Sequence, residues 1–223
     1  MTDFPDEAPP IILASGSPRR RELLTRLGIS FTVATSGVEE TLDESIPTGE
    51  AVSQLALRKA DAVARDRDRG LVIGADTVVV CDDTVLGKPH DSADAACMLR
   101  LLRDRWHEVI TGVAVVDAAI GRTESSAVHT RVRMRAFTDD EIASYVATGE
   151  PLDKAGAYAV QGAGGALVFE VDGSYTNVVG LPLRELARML RRFGAWTKTA
   201  ETVCVLPNGV PYSPLSRGLK LDA

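Results

Sequence analysis

Between Leu13 and Leu24 the sequence Leu-Ala-Ser-Gly-Ser-Pro-Arg-Arg-Arg-Glu-Leu-Leu reads as strand, loop and helix, and the rest of the chain is organised around it. Ile11, Ile12 and Leu13 form a short apolar run, and Ser15, Gly16 and Ser17 turn the chain. Pro18 suits the first position of a helix because it has no N–H to satisfy and its φ is already helical. Ser17 is then the natural N-cap. Charge departs from this regular pattern. A helix N-terminus carries partial positive charge and unpaired N–H groups, so its first turn favours Asp or Glu. Here Arg19, Arg20 and Arg21 occupy it, at a cost of a few tenths to about 1 kcal/mol per misplaced charge. An anion held by loop N–H groups and guanidinium forks removes the conflict. A solvated basic turn is the ordinary reading of any single Arg; three in a row behind Ser-Gly-Ser-Pro favour a phosphate.

A chain of 223 residues can build one substantial core, with room for two lobes. The expected organisation is a loose Pro-rich lead-in over residues 1–10, a single two-lobed domain over residues 11–196, and a C-terminal extension over residues 197–223. A net charge of −6 argues against broad nucleic-acid binding, so an anion site has to be a local basic pocket. The N-terminus has acidic residues where a signal peptide needs basic ones. No run approaches the ~18 apolar residues of a membrane helix. Cys81, Cys97 and Cys204 are widely spaced and form no CxxC, which indicates neither a disulfide framework nor a zinc site. Cytoplasmic placement is the default expectation.

Gly28 suits a helix C-cap, and Phe31 to Ala34 read as a strand. The following loop carries Glu39 and Glu40, adjacent carboxylates that either ligate a hard cation or are simply solvated. From Thr48 to about Arg67 apolar residues recur at helical spacing, with Thr48 as the expected cap. Periodicity assigns Arg58 and Lys59 to the wet face and gives them no function.

Leu71 to Val80 is a β-branched run interrupted by Gly-Ala-Asp-Thr. An Asp in such a run is costly to bury unless it is paired, hydrogen-bonded or bound to metal. That makes Asp76 the foremost candidate for a working carboxylate, the alternative being a strand-end Asp that bonds its own turn. Asp82-Asp83-Thr84 reads as a hairpin turn, which returns Lys88 to the neighbourhood of Asp76. Such a pair either serves phosphate chemistry, one group activating water and the other neutralising charge, or is a structural salt bridge.

Asp91 or Ser92 caps a helix through Leu102, and Val109 to Val116 is a strongly apolar strand. Arg131, Arg133 and Arg135 alternate with Val132, Met134 and Ala136 on a half-exposed antiparallel strand. Thr138 to Glu141 form a capping box. Residues 150–162 crowd functional side chains among glycines, as binding loops do, and Gln161 there has an amide able to read a base edge. Asp172-Gly173 predicts a hairpin between strands over 166–171 and 174–179. A last amphipathic helix carries Leu183, Leu186, Leu190 and Phe193.

Taken together, Leu-Ala-Ser-Gly-Ser-Pro-Arg-Arg, Gly-Ala-Asp-Thr-Val-Val, Gly-Lys-Pro and Asp-Lys-Ala-Gly-Ala-Tyr-Ala-Val-Gln-Gly, in that order from Ile11 to Phe193, resemble the Maf family of nucleoside triphosphate pyrophosphatases. The resemblance implies an α/β fold like that of Maf and inosine triphosphate pyrophosphatases: a mixed, elongated sheet flanked by helices, with a cleft between two lobes. It implies cleavage of a nucleoside triphosphate between the α and β phosphates, with a divalent metal cation, Mg2+ or Mn2+. Asp76 matches the family's catalytic carboxylate, a proton acceptor. Ser15, Arg19, Arg20, Lys59 and Lys88 match its phosphate-handling positions, and Glu40 matches a carboxylate associated with the metal. Arg19, Thr77 and Gln161 resemble the specificity positions of the subgroup that prefers dTTP, UTP and modified pyrimidine nucleotides.

The mechanism this implies has the triphosphate across the mouth of the Ser15 to Arg20 loop, neutralised by Arg19, Arg20, Lys59 and Lys88. Asp76 and Glu40 would position a magnesium-class ion and a water for in-line attack at the α phosphorus. Carboxylate and phosphate oxygens favour such an ion over zinc. The expected partner is the nucleotide, with no nucleic acid and no membrane, and a homodimer is compatible with the sequence. Two alternatives stand beside this reading: a nucleotide-binding regulator of cell division and septum formation without essential turnover, and a pyrophosphatase acting on 7-methylguanosine triphosphate.

Overall fold

The computed structural model describes residues 9–195. Most of the expected lead-in, the extension over 197–223 and Cys204 lie outside the described residues. Seven strands form one mixed sheet: β1 (Ile11–Leu13), β2 (Phe31–Val33), β3 (Leu71–Cys81), β4 (Thr84–Leu86), β5 (Trp106–Asp117), β6 (Thr123–Met134) and β7 (Val168–Asp172). Their order is β2-β1-β3-β5-β6-β7, with β4 also on β3. β1 runs parallel to β2 and β3, and every other pairing is antiparallel. The helices are α1 (Pro18–Arg26), α2 (Thr48–Ala64), α3 (Ser92–Leu102), α4 (Asp139–Val146), α5 (Tyr175–Val179) and α6 (Leu183–Arg192), with three short 3₁₀ turns between Glu150 and Leu167. Among the described residues, no helix is long and apolar enough to cross a membrane.

Two long strands, β3 and β5, are the spine, paired without a break from Leu71 opposite Asp117 to Val80 opposite Glu108. On its other edge β3 has different neighbours at its two ends. β1 covers Leu71 to Ile73, and β4 covers Val79 to Cys81. Between them, Gly74 to Val78 have no strand partner on that side among the described residues. This open stretch of β3 is the floor of a cleft, and Asp76 sits in its middle.

Four apolar clusters surround the spine, the smallest being Val52, Val78 and Ile110. One end packs on one face against α1, α5 and α6 through Leu23, Leu24, Leu181, Leu186 and Leu190. On the opposite face α2 covers it through Ala56, Ala60 and Val63. The far end packs against α3, α4 and the 3₁₀ turns through Val79, Leu99, Val132, Met134 and Ile142.

Local chemistry sets most element ends. Ser17 caps α1 by accepting from the Arg20 N–H, Asp91 caps α3, and Thr138 and Glu141 form a complete capping box on α4. The β3–β4 turn places Asp82 and Asp83 at φ of 47° and 65°, the left-handed pair that Asp tolerates in a two-residue hairpin. Two expectations are corrected. Thr48 is the first residue of α2, behind Pro47, and makes no capping bond. Residues 174–179 form no strand: Ser174 accepts from the Asn177 N–H and starts α5. The buried Asn177 amide fixes that turn by donating to Val109 O and Thr130 Oγ1, each at 3.0 Å.

Helix α2 approaches the sheet backbone to backbone, which requires glycines beneath it. A Cβ on Gly74 would lie 2.1 Å from Ala56 O, and one on Gly112 would lie 2.3 Å from Val52 O. Gly74→Ala is therefore expected to destabilise the fold by about 1–3 kcal/mol or more. In urea unfolding the midpoint should fall with an unchanged m value; an unchanged midpoint would contradict this account of the contact.

Candidate active site

The open stretch of β3 lines a cleft of about 1180 Å³, walled by the Ser15 to Arg20 loop, Glu40, Lys88 and the residues from Leu152 to Gln161. Strand alternation sends neighbouring side chains to opposite faces, so Asp76 turns toward α2 and Thr77 toward α1. Each meets a cation there.

On the α2 side, Lys59 Nζ lies 2.6 Å from Asp76 Oδ1 and 2.7 Å from Glu40 Oε1. The Lys59 side chain is 6% exposed and that of Asp76 11%. Lys88 Nζ donates to the other Glu40 oxygen at 2.9 Å. The sequence expected Lys88 beside Asp76. β4 instead leaves the ladder at Leu86, and the chain beyond carries Lys88 to Glu40, which stands between it and Lys59. Lys59 is likewise moved from the wet face to the interior, because two carboxylates compensate its burial. Burial pushes the Glu40 carboxyl up, but hydrogen bonds from Lys59 and Lys88, with their charges, outweigh it and hold the group at about 2.

On the α1 side Arg20 is built into the wall. Its Nε donates to Gly180 O at 2.8 Å, and its terminal nitrogens reach Ser15 Oγ and Thr77 Oγ1, each at 3.2 Å. Thr77 Oγ1 is also 2.9 Å from Thr111 Oγ1, which bonds Asn177 O at 3.0 Å. Burial pushes the Arg20 guanidinium down from its usual range, against the opposing charges of Asp76 and Glu40. Arg19 reaches across the cleft to Asp153, with Nη1 3.2 Å from the carboxylate and Nη2 3.4 Å from the carbonyl. Among the described residues, the Gln161 side chain makes no hydrogen bond, and it lines the cleft.

All nine candidate residues, Ser15, Arg19, Arg20, Glu40, Lys59, Asp76, Thr77, Lys88 and Gln161, thus meet around one cleft, eight as lining and Lys59 through its two carboxylates. The sequence reading missed Asp153, Thr111 and the Gly180 carbonyl. Asp153 stands inside the motif that holds Gln161; nothing local marks the other two.

Among the described residues there is no group of three or more His, Cys, Asp or Glu side chains that could hold a metal. Glu40 and Asp76 are hard oxygen donors converging through Lys59, a set that suits an ion completing its shell with phosphate oxygens and water. Charge points the same way. The cations Arg19, Arg20, Lys59, Lys88 and Lys154 are outnumbered by the carboxylates Glu40, Asp43, Glu44, Asp76, Asp83 and Asp153 around the cleft, leaving no net positive charge for a polyanion.

Comparison with known proteins identifies the family. Residues 10–193 match the family described as Maf-like protein. The chain belongs to the Maf family. A dTTP/UTP pyrophosphatase of Desulforamulus reducens is 52% identical over 185 residues, covering 83% of this chain and 97% of that protein. The protein of the same name from Pelotomaculum thermopropionicum is 54% identical over 184 residues, with 82% and 96% covered. That of Moorella thermoacetica is 52% identical over 184 residues, with 82% and 95% covered. The mixed sheet and flanking helices of this Maf protein agree with the fold that its motifs implied.

The state of Glu40 has a consequence in acid. Its folded-state pKa lies below the ordinary 4.5, so the unfolded chain binds the proton more readily. The stability it contributes is present above the ordinary value and is lost as pH falls toward about 2. Glu40→Gln should flatten that part of the stability profile in urea unfolding between about pH 5 and 2. The effect should shrink at high salt because the side chain is half exposed. An identical slope in wild type and variant would contradict the assignment.

Proposed function

We propose that this protein hydrolyses nucleoside triphosphates between the α and β phosphates, acting on dTTP, UTP and modified pyrimidine nucleotides and releasing pyrophosphate and the monophosphate. The observation that carries this is Asp76, a strand-interior carboxylate at the one open stretch of β3, within 2.6 Å of a buried lysine and beside a wall of arginines. The names of relatives about half identical over most of the chain support the same activity and substrates.

In this mechanism the triphosphate lies along the Ser15 to Arg20 loop, where the α1 N-terminus and Arg19 meet its charge. Lys59 and Lys88 face it from the opposite side. Asp76 accepts a proton from water as the water oxygen bonds to the α phosphorus. The α–β bridging bond breaks, and its electron pair leaves with pyrophosphate. Most of the rate enhancement comes from positioning and from charge stabilisation. Glu40 and Asp76 would hold a divalent cation, Mg2+ or Mn2+, which when bound supplies the positive charge that the cations of the cleft alone lack. Gln161, with Arg19 and Thr77, selects the base; the Gln161 amide offers both a donor and an acceptor to a pyrimidine edge. Arg20, tied to Thr77, Ser15 and Gly180, sets the shape of the phosphate wall and keeps N–H groups over for the substrate.

A pure binder would need the basic wall but no carboxylate at its centre, so Asp76 favours turnover. Asp76→Asn keeps the shape and removes the charge. Pyrophosphate release from UTP with magnesium should fall by about a hundredfold to ten-thousandfold, with the fold retained by circular dichroism. A wild-type rate in that variant would exclude the mechanism. Arg19→Ala should raise KM for UTP by about tenfold or more, as expected for a lost charge-assisted bond; an unchanged KM would remove Arg19 from the binding surface.

A further inference from the structure

The loop that presents Gln161 is shaped by a carboxylate with no assigned role. Gln161 is extended, and the chain then turns through Gly162 at φ +66° into the 3₁₀ turn Gly162–Leu167. Glu150 sits under that turn. Its Oε2 accepts the Ala163 N–H at 3.2 Å, and its Oε1 accepts the Gly164 N–H at 3.3 Å. Oε1 also accepts the Tyr145 hydroxyl at 3.0 Å, and the same hydroxyl oxygen accepts the Ala159 N–H at 3.3 Å. Backbone groups on both sides of Gln161 are therefore fastened to one Tyr145–Glu150 pair.

Close approach shows how tightly the loop is wrapped on that pair. A Cβ on Gly164 would lie 2.4 Å from the Tyr145 hydroxyl oxygen, and one on Gly162 would lie 3.0 Å from Glu150 Oε2. Tyr145 is 5% exposed. Its burial and the neighbouring Glu150 push the phenol pKa upward, so it remains a donor throughout the working pH range. Glu150 also holds the other wall. Lys154 Nζ donates to the Glu150 carbonyl and, at 2.6 Å, to Asp153 Oδ1, while Asp153 Oδ2 takes Arg19. One connected set of hydrogen bonds thus runs from the Gln161 loop to Arg19.

We propose that Glu150, together with Tyr145, is a positioning residue that holds the Gln161 amide in the cleft, so that base selection depends on a carboxylate that does not touch the nucleotide. The inference rests on Gln161 being the base reader. A glutamine side chain has several rotatable bonds, and an amide in water gains little from one base over another unless its backbone is fixed. In other protein sites, residues that hydrogen-bond a binding group without touching the ligand supply that fixation.

The test compares wild type, Glu150→Gln, Tyr145→Phe and Gln161→Ala in the full chain with magnesium. Binding of α,β-methylene UTP and CTP is measured by calorimetry, with inhibition of UTP hydrolysis by inorganic tripolyphosphate as a probe of the phosphate wall. Glu150→Gln keeps the size of the side chain but turns one acceptor into a donor facing an N–H. Tyr145→Phe removes one hydroxyl and keeps the fold if the Glu variant does not. Both should lower UTP affinity by about tenfold and reduce the UTP-to-CTP ratio toward that of Gln161→Ala, with tripolyphosphate inhibition unchanged. Adding Glu150→Gln to Gln161→Ala should then have no further effect on the ratio.

A wild-type ratio in both single variants, when Gln161→Ala changes it, overturns the positioning role and leaves Gln161 as reader. A wild-type ratio in Gln161→Ala overturns both. Equal losses for UTP and tripolyphosphate mean that Glu150 only supports the fold, which also overturns the proposal. The UTP-to-CTP ratio is read by binding, and in a wild type without turnover tripolyphosphate is read by calorimetry too, so absence of turnover would refute the proposed reaction without obscuring this result.

Discussion

Lys59 brings a positive charge into the protein interior, and the site is arranged around what that charge requires. An ammonium with its side chain 6% exposed is tolerable only with oxygen partners at hydrogen-bond distance. Asp76 supplies one from β3 and Glu40 supplies another from the loop that follows β2. Meeting that requirement fixes three things at once: the height of α2 over the sheet, the inward turn of the Glu40 loop, and the seat of Lys88 on the remaining Glu40 oxygen. The glycines under α2 serve the same end. Without close contact at Gly74 and Gly112, the helix would stand further from the sheet and Lys59 would lose its reach to Asp76. Removing one member of such a buried pair costs about 3–5 kcal/mol because the other is left uncompensated, so this part of the cleft is held as a unit.

The second constraint is the change of neighbour along β3. A strand edge left open in a sheet exposes unpaired backbone groups. Here the exposed stretch is short, bounded by β1 and β4, and roofed by charged side chains. The parity of the strand then does the sorting. Asp76 faces Lys59 and Thr77 faces Arg20, so the proposed acid–base and phosphate-wall functions fall on opposite sides of one backbone. The chain of contacts from Arg20 through Thr77 and Thr111 to Asn177 O ties the wall to β5 and α5, and hence to the apolar cluster that carries α6.

Local chemistry made much of the fold readable in the sequence. Ser17 and Pro18 at the start of α1, the Asp82-Asp83 turn and the Thr138–Glu141 box all act through neighbours within a few residues. Residues 174–179 misled because their β-branched side chains favour a strand. The deciding bonds are from Asn177 to Val109 O and Thr130 Oγ1, which no local propensity contains. The site divides in the same way. Asp76 was recognisable because a carboxylate in an apolar strand needs a partner, but the partner was not. Helical periodicity put Lys59 in solvent, and symmetry about the hairpin put Lys88 opposite Asp76; only the resemblance of motifs gave Lys59 and Glu40 a role. Asp153 and Glu150 escaped notice because their work is to hold other side chains and loops, which leaves no pattern along the chain.

Each cation of the cleft other than Arg20 is paired with a protein carboxylate: Arg19 and Lys154 with Asp153, Lys59 with Asp76 and Glu40, and Lys88 with Glu40. For a site proposed to receive a triphosphate this works against affinity, since incoming phosphates must compete with anions already in place. It works for geometry. Long Arg and Lys side chains lose substantial rotamer entropy when fixed, and carboxylate partners have already fixed them before substrate arrives. Glu40 and Asp76 would hold a divalent cation arriving with the proposed nucleotide, and its charge would relieve that competition by leaving Lys59 and Lys88 free to meet phosphate.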